Sequence, residues 1–124
     1  MAVLGIDYGL RNIGVAVATG PLAQPLTTIR NSQGWISRVD KLVKDFRVTT
    51  IVIGVPDSGM LEEIRQAAAK LADMTKLPVV YEEETLTTHE ARLSLRHRGQ
   101  KARRKLEHAA AAALILQKYI DRHG

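Results

Sequence analysis

Two apolar runs stand close together near the start of the chain, and their spacing constrains the fold more than any other feature. Val3 to Asp7 is one β-branched and aliphatic stretch, and Ile13 to Ala18 is another, with small residues alternating. The link between them is Gly9-Leu10-Arg11-Asn12. No helical crossover fits in so short a link, so the two runs predict an antiparallel hairpin. Gly20-Pro21 ends the second run, and Leu26 to Arg30 predicts a third strand.

After Asn31-Ser32-Gln33-Gly34 the period changes. Trp35, Ile36, Val39, Leu42, Val43 and Phe46 recur at helical spacing, which predicts a helix from about Trp35 to Phe46. Thr49 to Val55 is a continuous β-branched run stopped by Pro56, the pattern of a buried parallel strand. A helix around Met60 to Met74 follows, with Leu61, Ile64, Ala68, Leu71 and Ala72 on one face. Val79-Val80-Tyr81, after Pro78, predicts a fifth strand running into Glu82-Glu83-Glu84. Thr87 or Thr88 caps a further predicted helix that ends near Gly99, and a last helix spans about Arg103 to Arg122. Ala109 to Ala113 form its middle. Alanine combines the best helix propensity with a very small side chain. Such a helix can lie close on a sheet and bring its first turn near the strand ends. The order β-β-β-α-β-α-β-α-α predicts an α/β fold: a mixed five-stranded sheet, three strands antiparallel and then parallel, flanked by helices. The length, 124 residues, fits a single domain over residues 1–124.

Composition excludes several function classes. Without cysteine the chain has no disulfide, no thiolate zinc site and no Cys nucleophile, so any metal is held by Asp, Glu or His. Aromatic residues make up 4%, too few for a base-stacking surface of several rings. No apolar run approaches a bilayer span and the first residues lack the basic start of a signal peptide, so a soluble cytoplasmic protein with no membrane partner is expected.

The net charge of +5 is unevenly placed. Residues 1–91 hold nine basic and eleven acidic residues, and residues 106–124 hold two of each. The seven basic residues of positions 92–105 have no acid among them. That stretch contains Arg98, Lys101, Arg103, Arg104 and Lys105, and its chemistry suits a phosphate backbone. A solvated helix face is the plainer alternative.

Three sets of residues suggest chemistry. Asp7 closes an apolar strand, where a carboxylate is costly unless a metal, a cation or hydrogen bonds hold it. An Asx turn opening the hairpin explains it equally well. Of the run Glu82-Glu83-Glu84, alternation puts Glu82 and Glu84 on one face, though a solvated strand end is the commoner fate of such a run. Glu107 and His108 open the alanine-rich helix. There the macrodipole alone favours an acid by roughly 0.3–1 kcal/mol, and a single His is more often a surface residue than a ligand. Asp7, Glu84 and Glu107 together are what a Mg²⁺ or Mn²⁺ site needs, since these hard cations prefer oxygen ligands. Such ions activate water and stabilise the leaving oxygen of a phosphodiester. His89, His97 and His123 have no paired spacing.

These residues resemble the motifs of the YqgF (RuvX) family. Ile6-Asp7-Tyr8-Gly9-Leu10-Arg11-Asn12-Ile13-Gly14-Val15-Ala16-Val17 is similar to its D-[FY]-G-x-[KR]-x-[IL]-G-V-A opening. Ile51 to Pro56 resembles its V-[IV]-G-[LV]-P strand, Glu83 to Thr88 its D-E-R-[LFY]-[ST]-[TS] segment, and Ala109 to Tyr119 its terminal helix. The match runs in order over nearly the whole chain.

The resemblance implies an RNase H-like fold related to the RuvC junction resolvases, and divalent-metal-dependent nuclease activity. It also implies a role at the 5′ end of pre-16S rRNA or, as some members are described, on Holliday junctions. Asp7 matches the strand-one acid, Glu84 the Glu of D-E-R, and Arg11 the basic residue after D-x-G. Thr85 stands where the family has Arg, and after Pro56 only Asp57-Ser58-Gly59 remains of an N-x-D-G loop. Counting back from Leu116-Gln117, the family's terminal Asp falls on His108. With one extra Ala in the helix it falls on Glu107. Glu107 is taken as the third acid and His108 as the alternative ligand. If strand five lies two places from strand one, their backbones are roughly 9–10 Å apart.

The expected partner is therefore nucleic acid, an rRNA precursor or branched DNA. A junction resolvase would act as a homodimer with two sites. A non-catalytic nucleic-acid-binding protein is the reading from a different class. An ATP-gripping fold of the actin and sugar-kinase type uses a similar hairpin but needs two lobes.

Overall fold

A computed structural model describes residues 2–56, 59–83 and 100–123, the last span with its side chains from Glu107 onward. In chain order the elements are β1 (Ala2–Tyr8), β2 (Asn12–Ala18), β3 (Gln24–Arg30), α1 (Trp35–Phe46), β4 (Val48–Val55), α2 (Leu61–Thr75), β5 (Val79–Glu83) and α3 (Gln100–His123). The strands form one sheet in the order β3-β2-β1-β4-β5. β1 and β2 are antiparallel, as are β2 and β3, whereas β4 runs parallel to both β1 and β5. This is the expected mixed sheet, and β5 does lie two places from β1.

Two elements start more than one residue away from the sequence expectation. β3 begins at Gln24 rather than Leu26, taking in Pro25 opposite Ala16. As an edge strand it tolerates a residue with no N–H to donate. α3 starts at Gln100 rather than Arg103, so Lys101 joins Arg103, Arg104 and Lys105 within its span. Helix formers such as Lys, Ala and Arg extend a helix readily where nothing stops it. The helix expected between Thr87 and Gly99 lies outside the described residues.

The two faces of the sheet carry different cores. One packs Leu4, Ile6, Ile13, Val15, Ile51 and Ile53 against α1 and α2. The helices meet it with Trp35, Val39 and Val43 from α1 and Ile64, Ala67, Ala68 and Leu71 from α2, the three-and-four spacing of one helical face. Both helices end on a left-handed basic residue, Arg47 at φ 54° and Lys76 at φ 61°.

The other face is built of small residues and is covered by α3. Ala16, Ala18 and Val52 pack with Ala112, Ile115 and Leu116. The approach is close enough to require glycine. A Cβ on Gly5 would lie 2.8 Å from Leu116 Cβ and 2.9 Å from the Ala112 carbonyl oxygen. On Gly14 it would lie 1.9 Å from the His108 carbonyl oxygen. Polar contacts fasten the helix further along. Gln117 accepts from the Ala23 amide at 2.8 Å and donates to the Pro21 carbonyl at 3.0 Å. On the far side Lys118 Nζ donates to the Glu83 carbonyl at 3.0 Å, and Arg122 pairs with Glu82 at 2.8 Å.

Candidate active site

Asp7 is the seed of the site. It sits one residue from the end of β1 and is buried, 8% exposed. Residues of a strand alternate between faces, so Asp7 shares the face of Gly5, the side covered by α3. Its antiparallel partner is Gly14. The helix rests on that partner through the backbone of His108 and Ala109. The strand-end carboxylate and the turn carrying Glu107 and His108 are thus neighbours, and the missing side chain at Gly14 is what lets the turn come down.

Glu107 and His108 are both half-buried. Successive helical residues point about 100° apart. His108 falls on the stripe of Ala112, Ile115 and Tyr119, which lies on the sheet, whereas Glu107 falls on the stripe of Lys118. Lys118 reaches the Glu83 carbonyl, so Glu107 looks toward the β5 side of the helix.

Arg11 is exposed on the β1–β2 hairpin, directly after the strand that carries Asp7. The hairpin is braced from the end of β3. The Asn31 amide donates to the Arg11 carbonyl at 2.9 Å, and Asn31 Nδ2 donates to the Gly9 carbonyl at 2.8 Å. Arg11 shares a cleft with Arg30. Of the basic stretch, Lys101, Arg103, Arg104 and Lys105 are backbone-defined in the turns of α3 that precede Glu107. Arg98 lies outside the described residues, as does Glu84.

Glu82 departs from the expected solvated strand end. It is 2% exposed, whereas Tyr81 and Glu83 on either side of it face solvent. Gly54 is its partner on β4, and Ile6 pairs with Ile53 one step earlier, so the same register carried on by one residue brings Asp7 and Glu82 to one level of one face. Its Oε2 accepts from Arg122 at 2.8 Å, while Oε1 is buried without a hydrogen-bond partner among the described residues. Alternation along β5 was the signal for the buried position. The partner, forty residues away, left no local mark in the sequence.

The donor set suits a hard divalent cation. A buried carboxylate with a second carboxylate or an imidazole on the adjoining turn offers oxygen-rich ligation of the kind Mg²⁺ and Mn²⁺ take. Among the described residues no three acidic or histidine side chains gather closely enough to hold a metal ion.

A family model described as RuvX, Holliday junction resolvase, matches residues 1–122. This chain belongs to the RuvX family. Among its RuvX relatives, a protein of Levilactobacillus brevis is 37% identical over 139 residues, covering 100% of this chain and 96% of the relative. One of Streptococcus uberis is 37% identical over 138 residues, with 98% and 99% covered. Both carry the name "Putative pre-16S rRNA nuclease". Among solved structures, T. thermophilus RuvC in complex with a Holliday junction substrate superposes with a TM-score of 0.64 at 21% identity, over 99% of this chain and 96% of that one. Fowlpox virus resolvase in complex with Holliday junction DNA gives a TM-score of 0.64 at 9% identity, over 99% of both chains. The fold is thus the RNase H-like fold of the RuvC-type resolvases. Among the described residues no helix is long and apolar enough to cross a membrane.

Proposed function

We propose that this protein, as one RNase H-like domain over residues 1–124, is a divalent-metal-dependent nuclease. Its substrate in this reading is structured RNA at the 5′ end of pre-16S rRNA, in the cytoplasm. The observation that carries the reading is the buried Asp7 at the end of β1, with the Glu107–His108 turn seated on its strand partner Gly14. The RNA substrate is favoured by the names of relatives at 37% identity over nearly the whole chain.

In this reading Asp7, Glu84 and Glu107 hold Mg²⁺ or Mn²⁺, with His108 as the alternative to Glu107. Such an ion, when bound, supplies an activated water and charge stabilisation for the leaving oxygen of a phosphodiester. The chain's own groups do the rest. Burial of Asp7 keeps its carboxylate in one orientation. Arg11, on a hairpin fixed by Asn31, takes a substrate phosphate. Arg98, Lys101, Arg103, Arg104 and Lys105 bind the backbone on the approach to the Glu107 turn and give the interaction its salt dependence.

The test is cleavage of a 5′-extended 16S rRNA fragment and of a four-way DNA junction by the purified protein with Mn²⁺. Asp7→Asn is expected to lower cleavage at least about a hundredfold, and chelation of the metal to do the same. Equal activity in Asp7→Asn would sink the assignment. Glu107→Gln and His108→Gln, assayed side by side across a Mn²⁺ titration, identify the third ligand: the true one raises the metal concentration needed. A second reading, Holliday junction resolution, rests on the description of the matching family model. It predicts a homodimer that cuts the junction and leaves the RNA intact.

A further inference from the structure

On the face of the sheet opposite Asp7, at the same strand end, lies a cavity of about 470 Å³. Its walls include Tyr8, Asn31, Ser32, Gln33, Trp35 and Lys70. The aromatic wall is ordered: the Tyr8 and Trp35 rings lie 5.6 Å apart at an interplanar angle of 55°. Trp35 is nearly buried, and Tyr8 is held against the core beneath it. Asn31 Nδ2 is engaged with the Gly9 carbonyl, which fixes the amide and leaves its oxygen as an acceptor beside the hydroxyl of Ser32 and the amide of Gln33. Lys70 reaches the rim from α2 and is exposed.

Asn31 also lines a second cleft, of about 380 Å³, with Arg11, Asn12 and Arg30. The two hollows therefore share one wall, and together they present Lys70, Arg11 and Arg30, with no acid among the described residues of either lining. An aromatic wall, a few fixed polar groups and cations on the rim match the three parts of a nucleotide: base, sugar and phosphate. The volume is in the range of small-ligand sites. Single-stranded nucleic acid is bound in this way, by stacking and backbone neutralisation. Tyr8 directly follows Asp7, so a strand with its scissile phosphate at Asp7 has only to pass over the rim of the sheet to reach the cavity.

We propose that this cavity takes one nucleotide of the substrate strand, its base against Tyr8 and Trp35 and its phosphate toward Lys70, while the neighbouring phosphate lies in the Arg11–Arg30 cleft. This rests on the nuclease reading for its substrate, but its test is separate. Trp35 is the single tryptophan of the chain, so its fluorescence reports on the cavity alone. The titrations use Asp7→Asn protein with a short single-stranded oligonucleotide, with adenosine and uridine 5′-monophosphate, and with inorganic phosphate.

The oligonucleotide is expected to change Trp35 emission. Lys70→Glu is expected to weaken that binding about fivefold, and Lys70→Arg to restore it. In the active protein Lys70→Glu is expected to raise KM by a similar factor, about fivefold, with kcat unchanged. Unchanged emission with the oligonucleotide, or equal binding by Lys70→Glu, overturns the proposal. A response to mononucleotides alone overturns the assignment to the substrate strand, and an equal response to phosphate overturns the base-binding part. If no substrate is cut but the Trp35 response and its Lys70 dependence persist, the nuclease reading falls and the cavity stands. If cutting depends on Asp7 while Lys70→Glu changes neither KM nor emission, only the cavity proposal falls.

Discussion

Leu4 and Gly5 are neighbours on one strand and face opposite worlds. On the Leu4 side the sheet meets α1 and α2 through branched side chains that interdigitate. On the Gly5 side it meets α3 through Gly5, Gly14, Ala16 and Ala18, and the helix backbone nearly touches the strands. The first face gains stability from buried apolar volume. The second gives up that volume for proximity, and proximity is what brings polar residues of a helix beside a carboxylate at a strand end. Stability and chemistry are thus divided between the two sides of a single sheet.

Substitutions can break or sharpen this division. Leu4→Ala is expected to cost the most, about 2–5 kcal/mol in denaturant unfolding, because a fully buried side chain leaves a cavity. The activity of the protein that remains folded should be retained. Gly14→Ala should cost less, about 1–3 kcal/mol, by overpacking. The added methyl meets helix backbone rather than a flexible side chain, so α3 must lift and cleavage should fall by more than the loss of stability explains. Equal retention of activity in the two variants would dissolve the contrast.

Arg122→Ala is expected to cost about 1–2 kcal/mol, since it strands the buried Glu82 carboxylate. Arg122 itself is 59% exposed, which keeps the figure below that of a fully buried pair. Adding Glu82→Leu should recover most of the loss, as apolar replacement of both partners does. The smallest effect, under about 0.5 kcal/mol, is expected for Lys44→Ala, since Lys44 is 76% exposed and its half-buried partner Asp40 lies one turn away on α1.

Much of the large-residue face could be read directly from the sequence. Its strands and helices announce themselves through period and branching, and α1 runs over the span expected for it, Trp35–Phe46. The small-residue face was legible in kind: five consecutive alanines and alternating small residues in β2 pointed to a helix lying close on the sheet. What local pattern does not carry is which strand residue receives which helical turn. Gly14 and His108 meet through backbone, and Glu82 meets Arg122 across the fold, so neither contact leaves a spacing to read. The start of α3 was placed late for a related reason. The helix was expected from about Arg103, yet Gln100, Lys101 and Ala102 already belong to it. Asp7 was legible as a costly carboxylate, and the choice between Glu107 and His108 depends on helix phase against a sheet that only the folded chain supplies.

The seating of α3 also has a consequence in time. Domains fold largely as the ribosome delivers them, from the N-terminus onward. β1 to β5, with α1 and α2, precede the helix in the chain, whereas the turn that joins Asp7 belongs to α3 and emerges after all of them. During synthesis the sheet can form one core and keep the other face open, so the proposed cutting centre stays unassembled on the nascent chain. A nuclease built this way would begin to act only once its last helix has docked on the open face.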